Sequence, residues 1–103
     1  MAPLDQVRAD LSARIAAING RALHARAHEI APDIDAIRII AHRAGLNPAV
    51  TVAHFLDTAL ARGVRGAVVR DWLAMLADAV GSERQDLAAC EVYAAACSVR
   101  MVA

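Results

Sequence analysis

The sequence predicts an all-α fold, namely a compact bundle of about five helices in a single domain. Three observations indicate this fold. Glycine and proline residues divide the 103-residue chain into segments of helical length, because these residues favour turns and helix ends. Within each segment the apolar residues recur three and four positions apart, which is the period of one helix face. Alanine, the strongest helix former, is the commonest residue of the chain.

The first segment, residues 3–30, is predicted to form one long helix. An amphipathic stripe of apolar residues runs from Leu4 to Ile18. Asn19-Gly20 either ends a first helix or is tolerated as a kink inside a longer one, because an internal glycine costs about 1 kcal/mol. The apolar residues that continue beyond this pair favour the long helix, with a kink at 19–20 as the alternative.

The middle of the chain is predicted to form three further helices. Pro32 is expected to separate the second helix from the first, and Gly45 is expected to end it. Asn47 and Pro48 have the pattern of an N-cap followed by the first helical residue, where the N–H that proline lacks would be unpaired in any case. The three helices are predicted over residues 33–44, 48–62 and 66–80.

The last helix is predicted over residues 82–101, where Ser82 and Gln85 have the spacing of a capping box. It carries two apolar strips, and a helix that is apolar on both sides either inserts centrally or pairs with another subunit. The first strip has the alternating spacing of a helix–helix seam and consists of Leu87, Cys90, Ala94, Cys97 and Met101. The second strip consists of Val92, Ala95, Ala96, Val99 and Val102.

The composition argues against several classes of protein. Acidic and basic residues balance at 11 each, so the formal net charge is zero, which disfavours an obligate binder of polyanions. No apolar stretch approaches the ~18 residues of a membrane span, and the first residues do not have the pattern of a signal peptide. Cys90 and Cys97 lie too far apart on one predicted helix for a disulfide. A cytoplasmic protein with reduced cysteines is therefore expected.

The sequence contains no pattern typical of catalysis. Cys90 and Cys97 lie on an apolar seam, where burial makes a thiol inert, and no glycine-rich phosphate loop is present. We therefore expect no enzyme and no cofactor. The predicted function is a non-catalytic helical interaction or assembly module, either a homodimer or a module that binds a helical protein partner. The predicted interface is the first strip of the last helix, Leu87, Cys90, Ala94, Cys97 and Met101.

A first alternative is DNA binding. Residues 40–57 resemble a helix-turn-helix, since an alanine stands four positions before the turn residue Gly45 and a second helix follows. Residues 61–64 resemble the end of a recognition helix that runs into a wing in bacterial winged-helix regulators. The resemblance implies a DNA-binding regulator that uses residues 40–64. Its contact residues would be Arg43, Thr51, His54, Thr58, Arg62 and Arg65.

A second alternative is a metal site. His24 and His28 stand four positions apart, so that on one helix they would project from the same face and could share a Zn²⁺ or iron ion. Such a site needs a third ligand, and His42 or His54 would have to supply it. Paired histidines are also common on solvated helix faces, so the pair by itself does not define a site.

Overall fold

Five helices make up the fold in the computed structural model, which describes residues 3–102. The predicted all-α class is confirmed, because this range forms a single compact domain without a strand. Within it, no helix combines the length and the apolar character that crossing a membrane requires. The helices are α1 (Leu4–Asn19), α2 (Ala27–Ala44), α3 (Asn47–Ala61), α4 (Ala67–Val80) and α5 (Leu87–Val102).

The first four helices form a closed ring, and the fifth lies outside it. α1 packs against α2 and α4, and α3 packs against the same two helices from the opposite side. α5 packs mainly on α3, so α3 is the one helix that contacts three others extensively. This central position explains why α3 has the largest number of buried residues among the five helices.

The core of the ring is built from aliphatic side chains around the chain's single tryptophan. Trp72 of α4 is almost fully buried, together with Leu11 of α1, Ile34 of α2 and Leu56 of α3. No polar or charged residue between positions 3 and 102 falls in the buried class. The four ring helices therefore hold together by apolar burial, which is the main favourable term in folding.

Arg8 fastens α1 to the end of α4. Its Nε donates a hydrogen bond to the Val80 carbonyl at 3.1 Å, and its Nη2 donates to the Ser82 carbonyl at 3.0 Å. The last carbonyls of a helix have no partner inside the helix and favour a nearby cation. Arg8 therefore stabilises the point where α4 ends and the loop to α5 begins.

The long first helix predicted over residues 3–30 is wrong. α1 ends at Asn19, and a turn separates it from α2, which begins at Ala27. The turn holds Ala22 fully buried and is braced by an ion pair between Arg21 and Asp33. The apolar residues after position 20 thus belong to a turn packed against the core, which period counting does not distinguish from a continued helix.

Pro32 does not separate two helices, contrary to prediction. It lies inside the second turn of α2, which begins at Ala27. Arg26 is the N-cap residue, and its backbone N–H donates to Glu29 Oε1 at 3.0 Å. The proline removes the hydrogen bond to the His28 carbonyl, four residues earlier. Its side chain is exposed, so the ring and the freed carbonyl lie toward water, where the loss is tolerated.

The position of the corner between α2 and α3 is predicted correctly, but the predicted N-cap residue of α3, Asn47, is wrong. Gly45 ends α2 in the left-handed conformation with φ of 74°, which glycine adopts without a Cβ penalty. Leu46 takes the N-cap position of α3, and Asn47 is already helical. The Asn47 side chain instead donates to the Gln85 carbonyl at 2.9 Å, which ties the start of α3 to the loop before α5.

The capping box predicted at Ser82 and Gln85 is wrong, and α5 starts five residues later than predicted, at Leu87. Asp86 caps the helix instead, because its Oδ1 accepts a hydrogen bond from the Ala89 N–H at 3.0 Å. The Gln85 side chain donates to the Ser82 carbonyl at 2.8 Å. The Ser82–Gln85 hydrogen bond therefore stabilises the loop between α4 and α5 and does not cap α5.

Candidate interaction surface

The inner face of α5 belongs to the core of the chain. Cys97 is fully buried, and its thiol donates to Sδ of Met75 on α4 at 3.4 Å. Tyr93 and Met101 are half-buried and pack against the same core. The Tyr93 hydroxyl donates to Asp78 Oδ2 on α4 at 2.6 Å, so this face of α5 has partners on both α3 and α4.

The predicted interface residues therefore do not share one free face. Leu87 is exposed, Cys90 and Ala94 are half-buried, Met101 is half-buried against the core, and Cys97 is inaccessible. The prediction that centred the interface on this strip is corrected at Cys97, which the chain's own helices already cover. Burial also raises the pKa of the Cys97 thiol to about 11, so it remains a protonated, unreactive side chain near neutral pH.

The outer face of α5 carries the second apolar strip in free contact with water. The exposed fractions are 69% for Val92, 67% for Val99 and 87% for Val102. Together with Leu87 at 73%, these residues are four of the eight large apolar side chains that are exposed between positions 3 and 102. We define the outer strip as the three valines together with two exposed alanines, Ala88 and Ala95. Its residues, Ala88, Val92, Ala95, Val99 and Val102, follow one another at spacings of four, three, four and three.

The outer strip is uncharged along its whole length. At about 100° per residue, Glu91 and Ser98 fall along one edge of the strip, and Arg100 lies beyond the other edge, past Ala96. All four are exposed. The helix thus presents a continuous apolar face bordered by polar residues, which is the pattern of an interaction surface rather than of a solvated helix.

A shallow cleft between α3 and α5 adjoins the C-terminal end of the outer strip. Its volume is about 390 Å³. Phe55, Met101 and Val102 supply apolar lining, and the polar lining comes from His54, Thr58, Arg62 and Ser98. The cleft contributes further apolar area next to Val102, so the exposed surface around α5 extends beyond the helix itself.

Three of the residues predicted to contact DNA line this cleft instead of forming a free helix face. They are His54 and Thr58 of α3 and Arg62, which directly follows α3. α5 packs against α3. The hydroxyls of Thr51 and Thr58 donate to carbonyls of their own helix, both at 3.2 Å. A recognition helix has to enter the major groove with one face free, and here α5 packs against α3.

The remaining parts of the helix-turn-helix resemblance are scattered. Arg43 is exposed in the last turn of α2, and Arg65 is exposed in the turn between α3 and α4. The wing predicted near residues 61–64 is wrong, since no strand occurs in the described range and Gly63 and Gly66 form a tight turn there with φ of 92° and 69°. Nothing in this arrangement favours DNA binding over the bundle corner that α2 and α3 form.

The two histidines of the metal alternative do not share a helix. His24 lies in the turn before α2, and His28 lies in the first turn of α2. The premise of the prediction, a pair one turn apart on a single face, is therefore wrong. Across residues 3–102, no group of three or more His, Cys, Asp or Glu side chains is arranged to hold a metal ion.

A cluster of charged residues between α2 and α3 was missed in the sequence. Asp57 of α3 has Oδ2 3.9 Å from Nε of Arg38, and Arg38 Nη2 also donates to Asp35 Oδ1 at 3.5 Å. The spacing of Asp57 in the sequence indicates where it lies in the fold. It stands four residues after Ala53 and three before Leu60, both of which are buried. An acidic residue on such a stripe is expected at the border of the core.

Oδ1 of Asp57 is buried and has no hydrogen-bond partner among the described residues. Desolvation is the largest cause that raises the pKa of Asp57, and the hydrogen bond and charge of Asp35 act in the same direction. Arg38 opposes the shift, and the net result is a pKa of about 7. The Asp57 carboxyl therefore changes charge near neutral pH.

Comparisons with known protein families, with curated proteins and with solved structures find no match for this chain. A function therefore has to be inferred from the surface of the chain itself. The outer strip of α5 contains three of the exposed large apolar side chains of that surface, Val92, Val99 and Val102.

Proposed function

We propose that this chain is a non-catalytic assembly module that forms a homodimer through the outer strip of α5. The observation that carries the proposal is the exposure of an uncharged apolar strip with the four-three spacing of a helix–helix seam. An apolar strip of this kind is stabilised when a second apolar surface removes it from water.

A second copy of the chain fits this strip because a two-fold dimer uses the same patch on both subunits. The strip is free of charge, so bringing two copies together places no like charges opposite each other along the seam. Its residues are valine and alanine only, and these small side chains allow two helix axes to approach closely. Glu91 and Arg100 remain at the borders, where water still reaches them.

The size of the strip sets the expected strength of the dimer. A helix of 16 residues is about 24 Å long at 1.5 Å per residue. Pairing two such helices buries an area at the small end of the range for specific interfaces, below about 1,200 Å² in total, even with the adjoining cleft. We therefore expect reversible association that depends on concentration, rather than an obligate dimer.

The test is the solution mass of the chain by light scattering over a range of concentrations. We expect the wild type to change from monomer to dimer with concentration, and Val99→Arg to remain a monomer because a charge in the seam loses its hydration on pairing. Val68→Arg is the matched control, since Val68 is an exposed helical valine of α4 with 50% exposure. It should dimerise as the wild type does.

Two outcomes would contradict the proposal. The first is a wild type that stays monomeric up to millimolar concentration. The second is a dimer that survives Val99→Arg, which would place the interface elsewhere. Circular dichroism of each variant shows that a loss of dimer does not come from a loss of helix.

A further inference from the structure

Asp35, Arg38 and Asp57 form a group in which one cation faces two carboxylates. Arg38 Nη2 is 3.5 Å from Asp35 Oδ1, and Arg38 Nε is 3.9 Å from Asp57 Oδ2. Asp35 and Arg38 lie on α2 and Asp57 lies on α3, so the group spans the contact between the two helices. With both carboxylates ionised, the group carries one uncompensated negative charge.

The burial of the three side chains is uneven. The side chain of Asp57 is 25% exposed, whereas that of Asp35 is 53% exposed. Oδ1 of Asp57 is also buried without a donor in the described part of the chain. The excess charge is therefore least well solvated at Asp57, and a proton that binds the group is expected to reside there.

The other elements around α3 do not supply a compensating charge. Beyond Asp35 and Arg38, α2 contributes His28, which lines a small cleft together with Asp57. His54 of α3 and Arg62, which follows α3, line the cleft toward α5 instead. Only Asp35 and Arg38 shift the pKa of Asp57 through their charges. Two further helices, α4 and α5, pack on α3. Their ionisable residues are Arg70, Asp71 and Asp78 on α4, and Cys90, Glu91, Tyr93, Cys97 and Arg100 on α5.

We propose that the Asp35–Arg38–Asp57 group binds one proton as the pH falls through neutrality, and that this proton tightens the contact between α2 and α3. Protonated Asp57 can donate a hydrogen bond to Asp35, which still pairs with Arg38, so the group becomes neutral and its buried oxygen no longer carries charge. Ionised Asp57 leaves two carboxylates to share one guanidinium. The contact is therefore tighter in the acidic form.

The direction of the pH dependence follows from linkage. The pKa of Asp57 is about 7 in the folded chain against an ordinary value of 3.8. Between these values the folded chain holds a proton that the unfolded chain releases, so stability falls as the pH rises through this window. Well above pH 7 both states are ionised and the loss is complete.

The experiment is urea unfolding from pH 5 to pH 8, followed by the fluorescence of Trp72, the only tryptophan. Complete linkage to one proton would change the unfolding equilibrium constant up to tenfold per pH unit. The partial exposure of Asp57 reduces this effect. We therefore expect the unfolding equilibrium constant to rise about tenfold from pH 5 to pH 8. Asp57→Asn, which imitates the neutral form, should abolish most of this rise and should be at least as stable as the wild type at pH 8.

His28 lines the same small cleft as Asp57, so a control variant at His28 is needed. His28→Gln removes this imidazole while leaving Asp57 in place, and it should keep the pH dependence. The ¹³C signal of the Asp57 carboxyl, followed by NMR in the wild type, should titrate well above the ordinary range of an aspartate. A carboxyl midpoint below pH 5, or a slope that Asp57→Asn leaves unchanged, would overturn the proposal. Neither result depends on dimer formation.

Discussion

The two sides of α5 have the same apolar spacing but opposite surroundings. On the inner side, Cys97 is fully buried, and Tyr93 and Met101 pack against the core. On the outer side, Val92 and Val99 remain mostly exposed to water. The inner side is covered by α3 and α4 of the same chain, and no element between residues 3 and 102 covers the outer side.

The difference lies in the chemistry of the side chains rather than in their period. The inner side carries groups that need specific partners, namely the thiol of Cys97, which meets Met75, and the hydroxyl of Tyr93, which meets Asp78. The outer side carries only small aliphatic groups, which any complementary apolar surface can cover. A fixed intramolecular contact and a reversible intermolecular one can thus share a helix.

The substitution with the largest expected effect is Cys97→Arg. It places a charge where the chain is closed to water, and a buried charge without a partner costs about 3–5 kcal/mol. We expect loss of the folded state or a large fall in the urea midpoint, followed by Trp72 fluorescence. Val99→Arg introduces the same charged side chain on the outer side. At concentrations where the chain is monomeric, its urea midpoint should equal that of the wild type within experimental error.

A result in which Cys97→Arg folds normally and only lowers the solution mass would reverse the assignment of the two sides. The first strip, which contains Cys97, would then be the intermolecular interface that its spacing suggests. Equal destabilisation by both substitutions would instead show that the outer side is also covered in the monomer. The pair therefore tests the comparison in both directions.

The sequence predicts the helices better than their ends. The segments around α3 and α4 are found nearly to the residue because glycines bound them on both sides, with Gly45, Gly63 and Gly66 all at positive φ. The break after Asn19 is missed because Ala22 and other apolar residues continue past it, although they pack from a turn. Helix period records which residues are apolar, and it does not record whether the backbone between them stays helical.

The candidate surface is only half predictable for a related reason. The spacing shows that α5 has two apolar sides, but the choice between them depends on where α3 and α4 lie, which is a tertiary fact. Asp57 has the same difficulty. Its place between Ala53 and Leu60 indicates the border of the core, yet the identity of its partners on α2 follows only from the packing of the two helices.

A smaller effect is expected from Asp86→Ala, which removes the cap of α5. The Asp86 carboxylate accepts from the Ala89 N–H at 3.0 Å and pairs with Arg84 at 2.6 Å, and the Arg84 contact holds the pKa of Asp86 below its ordinary value. Loss of an N-cap acceptor destabilises the first turn of a helix. We expect a lower melting temperature by a few degrees, measured by circular dichroism.

Glu83→Ala is the matched control for the cap, since Glu83 is an exposed acid of the same loop and lies outside the first turn of α5. It should melt as the wild type does. If the two variants melt alike, the start of α5 is held by its packing on α3 rather than by Asp86. Because both sides of α5 depend on the helix being formed, Asp86→Ala should also weaken the proposed dimer slightly.

The smallest effect is expected at Tyr93, whose hydroxyl holds the inner side of α5 to α4. Burial, together with the hydrogen bond to Asp78 and the charge of Asp78, raises the pKa of Tyr93 to about 12. Because Tyr93 is the only tyrosine, the ultraviolet absorbance of tyrosinate reports this one group. We expect a midpoint near pH 12 in the folded chain and the ordinary value near pH 10 in urea.

The sign of the linkage follows from these two values. Because folding raises the pKa of Tyr93, its stabilising contribution is complete below the ordinary value and is lost as the pH rises toward about 12. Tyr93→Phe keeps the ring and removes only the hydroxyl, so we expect a loss of less than about 1 kcal/mol for a hydrogen bond that solvent partly screens. The solution mass should not change, because the hydroxyl lies on the inner side. A midpoint near pH 10 in the folded chain would mean that α5 is not held against α4 at Tyr93, and the contact of Cys97 with Met75 would then be the hydrogen bond that joins the two helices.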